Sequence, residues 1–341
     1  MPDLDARLSA ARLAVTDAAL VCRSVQADLA SVRAELKDDR SPVTVADWAS
    51  QAVVVRRLYR ELGEQTIVGE EDAEALRQPE QGALREHVLR AVRLVWPEAG
   101  MDEVLDAIDV AGSGARPRAE GFWTLDPIDG TKGFLRGEQY AVSLGWIEGS
   151  RPRVGALGCP NLSSDFERPF DAPDQHGIVF WAAAERGVRQ APADRPGASA
   201  ESLQVEERPA DDPPRVCQSV EKAHSNTGGT ARLMEHLGID RHAALDSQAK
   251  YAVVARRQAD AYLRLPTRRG YSERIWDHAA GSLVASEAGC VVSDVRGRGL
   301  DFGQGRGLDA NLGVICASER LHPALLEAAA LLGLDREPPE A

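Results

Sequence analysis

The stretch that most constrains this chain is "FWTLDPIDGTKGFLRG", residues 122–137. An apolar run, 122–125, enters it, and Pro127 and Gly130 interrupt any regular ladder within it. That pattern reads as a strand ending in a tight turn. Two carboxylates, Asp126 and Asp129, stand three residues apart at the strand's end. Carboxylates gathered on a turn repel one another unless a cation or a shared proton holds them. Whatever the fold, it has to bring this strand end to a place where that charge is answered.

The flanking sequence predicts what the strand packs on. Leu4, Leu8, Ala11, Val15, Ala18, Cys22, Val25, Leu29, Val32 and Leu36 recur at spacings of four and three, one apolar stripe of a long amphipathic helix. Many stripe residues are small, which favours packing on a sheet over a coiled coil. A second helix is expected to begin at Asp47 and to carry Val54, Leu58 and Leu62. "TIVGEED" reads as a short strand that stops at Gly69, and 82–110 as broken helix with a turn at "PEAG". "YAVSLGWIEG", "RPRVGALGCP" and "GIVFWAAAE" read as strands, the first two joined at Gly149-Ser150. Residues 190–214, rich in Pro, Ala, Ser and acids, read as an exposed, partly mobile insertion. From 215 onward strands ("RVCQSV", "ADAYLRL", "CVVSDV", "LGVICAS") alternate with helices at 227–237, from 248, at 275–288 and through 331. Length and pattern together predict two mixed α/β domains, 1–158 and 159–335.

Acids cluster beside strand or helix ends at Asp47, at Glu70-Glu71-Asp72, at Asp126 with Asp129, and at Asp277. Singly, each has an ordinary explanation. Asp47 can cap a helix, "GEED" can be a solvated turn, and Asp277 suits the first turn of a helix. Together they suit a hard divalent cation such as Mg²⁺, which takes oxygen ligands, keeps waters and binds where carboxylates and phosphate oxygens converge. In Asp-Pro-Ile-Asp both carboxylates and the Ile128 carbonyl can face one side, and Pro127 lowers the entropy lost on binding. Bound ions of this kind polarise a phosphoryl oxygen and activate water.

Other chemistries lack their signatures. No histidine or cysteine spacing fits zinc, and GxGxxG after a strand, GxxxxGK[ST] and GxSxG are all missing. Lys+Arg 40 against Asp+Glu 53 gives a net charge of −13, which argues against nucleic-acid binding. An anionic substrate would need metal ions or local basic residues to overcome that field. The five cysteines lack CxxC spacing and read as buried residues of a reduced protein. "MPDLDARLSA" shows no signal peptide and no apolar segment approaches a membrane span, so a cytoplasmic protein with no membrane partner is expected.

Asp126-Pro-Ile-Asp-Gly-Thr131, with "VGEE" upstream and "IWDHAAG" downstream, resembles the lithium-sensitive, metal-dependent phosphatases of the inositol monophosphatase superfamily. "GCPNL", "VEKAHS", "LDSQAKYAVVA", "YLRLP", "SERIWDHAAG" and "LDFGQGR" are most similar to its yeast and plant 3′(2′),5′-bisphosphate nucleotidase branch, over about 41–318. The resemblance implies a layered α/β/α/β/α sandwich of the sugar-phosphatase type. It also implies Mg²⁺, two or three ions, held by Glu70, Asp126, the Ile128 carbonyl, Asp129 and Asp277, with Asp126 bridging. Asp47 and Thr131 become the pair that orients and deprotonates the attacking water. Gly130, Thr131, His224, Ser247, Lys250, Arg264 and Asp277 become substrate contacts. By strand alternation alone, Arg264 reads instead as an outward residue.

The implied reaction is removal of the 3′-phosphate from 3′-phosphoadenosine 5′-phosphate (PAP) to give AMP and phosphate. Activity on the 5′-phosphosulfate analogue (PAPS) and the 2′,5′ isomer is also implied, placing the protein in sulfur metabolism as a monomer. Two alternatives stay open: an inositol (poly)phosphate 1-phosphatase, and a catalytically idle PAP-binding protein. The chain departs from the branch at Ala223, where the branch has Gly, and in longer segments around 97–120 and 190–214.

Overall fold

The computed structural model describes residues 3–29, 41–112, 116–118, 120–170, 172–205, 209, 211–220 and 226–338. The chain opens with α1 (Leu4–Ala27), whose N-cap Asp3 accepts from the Ala6 N–H, and α2 (Ser41–Leu62). Val32 and Leu36 of the predicted stripe lie outside the described residues. Strand β1 (Ile67–Gly69) is followed by α3 (Gly82–Val92) and α4 (Met101–Val110). Then come β2 (Phe122–Asp129), α5 (Thr131–Arg136), β3 (Ala141–Glu148), β4 (Arg151–Cys159) and β5 (Ile178–Ala183). Strands β6 (Val188–Pro192) and β7 (Glu201–Ser202) complete a seven-stranded sheet in sequence order, β1 parallel to β2 and the rest antiparallel.

A second sheet follows, built from β8 (Arg215–Gln218), β9 (Arg241–Ala244), β10 (Ala261–Arg264), β11 (Cys290–Ser293) and β12 (Val314–Ser318) in the order β11-β12-β10-β8-β9. Its helices are α6 (Thr227–His236), α7 (Ala249–Ala255), α8 (Ala279–Glu287) and α9 (His322–Leu331).

Strand alternation distributes side chains among four apolar clusters of the described residues, three of which build the layers. Val142, Leu144, Trp146, Val179 and Trp181 join α1 and α2 on one face of the first sheet. Ala141, Leu157, Ile178 and Phe180 on its other face meet α7, α8 and Tyr262 of the second sheet. Ala261, Leu263, Ile315 and Ala317 point the opposite way, against Leu233, Leu325 and Ala329 of α6 and α9. The layers are therefore α/β/α/β/α, as expected. Gly155 is the packing point between sheet and middle layer: a Cβ there would lie 2.9 Å from the Ala280 carbonyl oxygen, so a side chain would push α8 off the sheet.

Three expectations change. The first sheet continues past Cys159 to Ser202, so a division at 158/159 falls inside β4; we place it between Ser202 and Arg215, where the chain passes from one sheet to the other. Part of the supposed insertion at 190–214 is edge strand, because β6 and β7 pair there. Asp47 does not begin a helix but lies well inside α2, since Pro42 falls in the first turn, where no N–H partner is required. Among the described residues no helix is long and apolar enough to cross a membrane.

Candidate active site

Strand β2 carries Pro127 within it and ends at the expected turn. It runs to Asp129, with its register against β3 shifted between Asp126 and Asp129. In a regular strand residues three apart face opposite sides; the irregularity turns both carboxylates to one side. Both line a cavity of about 400 Å³ between the two sheets, together with Glu70 from the end of β1 and Asp277 from a 3₁₀ turn, Ile275–Asp277. Ile128, Gly130, Thr131, Ser247, Lys250 and Arg264 share that lining. Thus most of the expected site residues, distant in sequence, meet in one place. A larger depression of about 760 Å³ beside Ser150 and Ser282 has a single carboxylate in its lining, Asp301.

Gly130 makes the junction possible. Its φ of +89° suits glycine, and a Cβ there would lie 2.9 Å from the Ser247 Cβ. Ser247 itself has a φ of +69°. This turn aims the next backbone N–H, that of Gln248, at Asp129 Oδ2, 2.6 Å away.

The acids disturb one another. Burial raises the Asp126 pKa well above the usual range, and Glu70, Asp129, Asp277 and Asp47 push it further. Asp277 is raised by burial, with Arg264 opposing and Asp129 and Glu70 adding. Glu70 is raised by loss of solvent around its carboxyl and by Asp129, although the residue as a whole is exposed; Arg274 and Arg306 oppose the rise. Asp126 Oδ1 is shielded from solvent and has no hydrogen-bond partner. An orphaned carboxylate oxygen among mutually repelling acids fits a cation, and the all-oxygen donor set fits Mg²⁺. Glu273, Asp277 and His278 form a tighter group, with ligand atoms within 4.8 Å of one another. There, however, Arg264 Nε already sits 2.7 Å from Glu273 Oε2. Glu70 and Asp129 lie more openly, on the lining of the cavity, while Asp126 sits buried behind them.

Asp47 is buried behind the cavity, its pKa raised by burial, Glu71 and Glu70. Ser50, one turn further along α2, donates to the Pro127 carbonyl at 2.9 Å and ties that helix to the acidic turn. Thr131, the first residue of α5, is exposed. Among the described residues no hydrogen bond joins Asp47 to Thr131. Lys250 is buried, its pKa lowered by desolvation against the pull of Asp129 and Asp246, with Nζ over the Tyr262 ring. Arg264 is not the outward strand residue its pattern suggests: besides Glu273 it reaches Asp277 Oδ2 at 3.6 Å and Tyr271 Oη at 3.4 Å. His224 lies outside the described residues.

Sequence reasoning missed Lys132, Ser219, Asp246, Tyr271, Arg274 and Trp276, all in the lining. Tyr271, Arg274 and Trp276 sit within six residues of Asp277, and that proximity was the available signal. It also missed Arg306, whose guanidinium stacks 4.7 Å from the Trp276 ring centroid while donating to the Gly69 carbonyl at 2.6 Å.

Residues 3–332 match the model of the inositol monophosphatase family. A 3′(2′),5′-bisphosphate nucleotidase of Schizosaccharomyces pombe is 42% identical over 303 residues, covering 86% of this chain and 85% of that protein. One from Oryza sativa is 39% identical over 339 residues, covering 95% and 93%. Among solved structures, an inositol monophosphatase from Anabaena aligns over 99% of this chain and 98% of its own, with a TM-score of 0.61 at 20% identity, a likeness of fold. Enzymes of the matched family depend on metal, typically Mg²⁺. With a family match over nearly its whole length and relatives of this identity, the chain belongs to the inositol monophosphatase family.

Proposed function

We propose that the protein is a metal-dependent phosphomonoesterase that hydrolyses the 3′-phosphate of PAP to AMP and phosphate, with PAPS and the 2′,5′ isomer as further substrates. The observation that carries this reading is the cavity itself. It gathers Glu70, Asp126, Asp129 and Asp277, carboxylates suited to hold cations, in one lining with the basic side chains of Lys250 and Arg264. The names of the relatives point to the same substrate.

In this reading Glu70, Asp126, the Ile128 carbonyl, Asp129 and Asp277 hold two or three Mg²⁺ ions. When bound, these supply positive charge to the phosphoryl oxygens and lower the pKa of water. Asp47, behind the cavity, and Thr131, on its lining, position the attacking water and take its proton. The backbone N–H groups of Gly130 and Thr131 face phosphate oxygens. Water oxygen bonds to phosphorus as the bond to the ribose 3′-oxygen breaks, and that oxygen leaves with a proton. Ser247, Lys250, Arg264 and His224 hold the nucleotide, whose negative charge is met locally in a chain of net charge −13. The partner is this small nucleotide rather than a nucleic acid, and the enzyme acts as a cytoplasmic monomer.

The test is phosphate release from PAP, inositol 1-phosphate, inositol 1,4-bisphosphate and fructose 1,6-bisphosphate in parallel with Mg²⁺, with a chelator control. PAP should give the highest kcat/KM and the chelator should abolish release. A higher kcat/KM on an inositol phosphate would replace this reading, and binding of PAP without release would make the protein a sensor.

A further inference from the structure

Gln248 is almost fully buried, at 2% exposure, and every polar group it owns inside the site is engaged. Its backbone N–H holds Asp129 Oδ2 at 2.6 Å. Its side-chain Nε2 donates to the carbonyl of Trp276, the residue before Asp277, at 2.7 Å. Its Oε1 accepts from the Gly281 N–H, in the first turn of α8, at 3.0 Å. One residue therefore touches the acid at the end of β2, the backbone beside Asp277, and the helix that follows Asp277. Ser143 of β3 adds a second, longer bond to the same Trp276 carbonyl, at 3.3 Å.

The chemistry of the position is narrow. The Trp276 carbonyl needs a donor and the Gly281 N–H needs an acceptor, and a primary amide supplies both from one planar group. Glutamate keeps the acceptor and loses the donor. Asparagine is one methylene short of both. The preceding residue takes a left-handed φ of +69°, an unusual conformation for serine, and this directs the Gln248 N–H toward Asp129.

We propose that Gln248 is a positioning residue for the metal cluster, fixing Asp129 through its backbone and Asp277 through its side chain. This rests on the assignment of those two acids as metal ligands. Groups that orient metal-binding side chains typically cost tenfold to a hundredfold in metal affinity when removed. Gln248→Leu keeps similar bulk and the backbone bond to Asp129 but loses both side-chain bonds. It should raise the half-saturating Mg²⁺ concentration about tenfold or more, while KM for PAP at saturating Mg²⁺ stays within about threefold.

The decisive readout is independent of turnover: the Mg²⁺ concentration that gives half the maximal rise in Tm, measured without substrate. Gln258→Leu is the control. Gln258 is a buried glutamine of the same domain that donates to the Phe166 carbonyl at 2.6 Å, away from the acids. Its loss should lower Tm without moving the Mg²⁺ midpoint. The proposal is overturned if Gln248→Leu keeps the wild-type midpoint, or if Gln258→Leu shifts it equally. Should Gln248→Leu fail to fold, Gln248→Glu, which keeps the bond to Gly281, is measured against the same two outcomes. A wild-type protein inert toward PAP would sink the proposed function, yet the Tm titration would still decide the role of Gln248.

Discussion

Replacing Glu273 with glutamine should cost this protein a measurable part of its stability without changing its shape. Glu273 is buried, its Oε2 lies 2.7 Å from Arg264 Nε, and His278 Nε2 is 3.5 Å away. Burial alone would raise its pKa, but the His278 imidazole and the Arg264 guanidinium overcome that and bring it from 4.5 down to about 2. That drop corresponds to about 3 kcal/mol favouring the ionised, folded state. Breaking a buried ion pair by removing one partner typically costs about 3–5 kcal/mol, so the two routes agree. With unfolding entropy near 2.1 cal/mol/K per residue, 341 residues give roughly 0.7 kcal/mol/K, and the loss becomes a fall in Tm of about 4 °C or more. The pH dependence has a fixed sign. The folded pKa lies below the unfolded one, so the stabilisation is complete above pH 4.5 and is lost as pH falls through about 2. Roughly half or more of it should be gone by pH 3. Calorimetry of wild type and Glu273→Gln at pH 7 and pH 3 checks both points. A Tm gap below about 1 °C at pH 7, or one of the same size at pH 3, would refute the reasoning.

Asp126→Asn should lower turnover by several orders of magnitude and leave the circular dichroism spectrum unchanged, because it removes a charge and no core volume; near-normal rates with Mg²⁺ would reject the ligand assignment. Lys250→Ala should raise KM for PAP about tenfold to a hundredfold, the worth of a charge-assisted hydrogen bond, and leave small sugar phosphates less affected, as parallel steady-state assays would report. Li⁺, near Mg²⁺ in size with half the charge, should inhibit uncompetitively and more strongly than K⁺ at matched ionic strength; equal inhibition would mean only screening. Of the five cysteines, Cys290 should alkylate first, since contact with Cys316 and the Arg257 guanidinium lowers its pKa, whereas burial pushes Cys159 and Cys217 up to about 12; mass mapping after limited iodoacetamide treatment reads the order.

What could be read from the sequence was local. The Asp126–Asp129 turn announced itself because apolar residues, a proline and a glycine follow one another within a few positions, and β1 because its apolar run stops dead at Gly69. The start of α2 was hidden because "SPVTV" carries β-branched residues and a proline, which favour other conformations until tertiary packing overrules them. The division at 158/159 falls beside the Pro-, Ser- and Asp-rich stretch 160–177, which resembles a linker in composition although β4 and β5 pair across it. β9, "RHAA", has no alternation to betray a strand. The site was harder still. Arg306 and Gly69 are bonded across 237 positions, and Gln248 and Glu273 are ordinary polar letters whose work appears only when two sheets close on them.

Trp276 has an optical consequence. Five of the six tryptophans (Trp48, Trp96, Trp123, Trp146 and Trp181) belong to the core on the far side of the first sheet. Trp276 alone lines the cavity, one peptide bond from Asp277, with the guanidinium carbons of Arg306 and Arg274 at 4.7 Å and 5.8 Å from its ring. Indole emission follows the electric field and the cations around the ring. The chain therefore carries its own fluorophore where charge changes most on ligand binding, against a background of five indoles that are shielded from it. Mutating Trp276 to Phe would silence that signal and leave the other five as its baseline, so occupancy of the cavity can be followed by light, with no label and no substrate turned over.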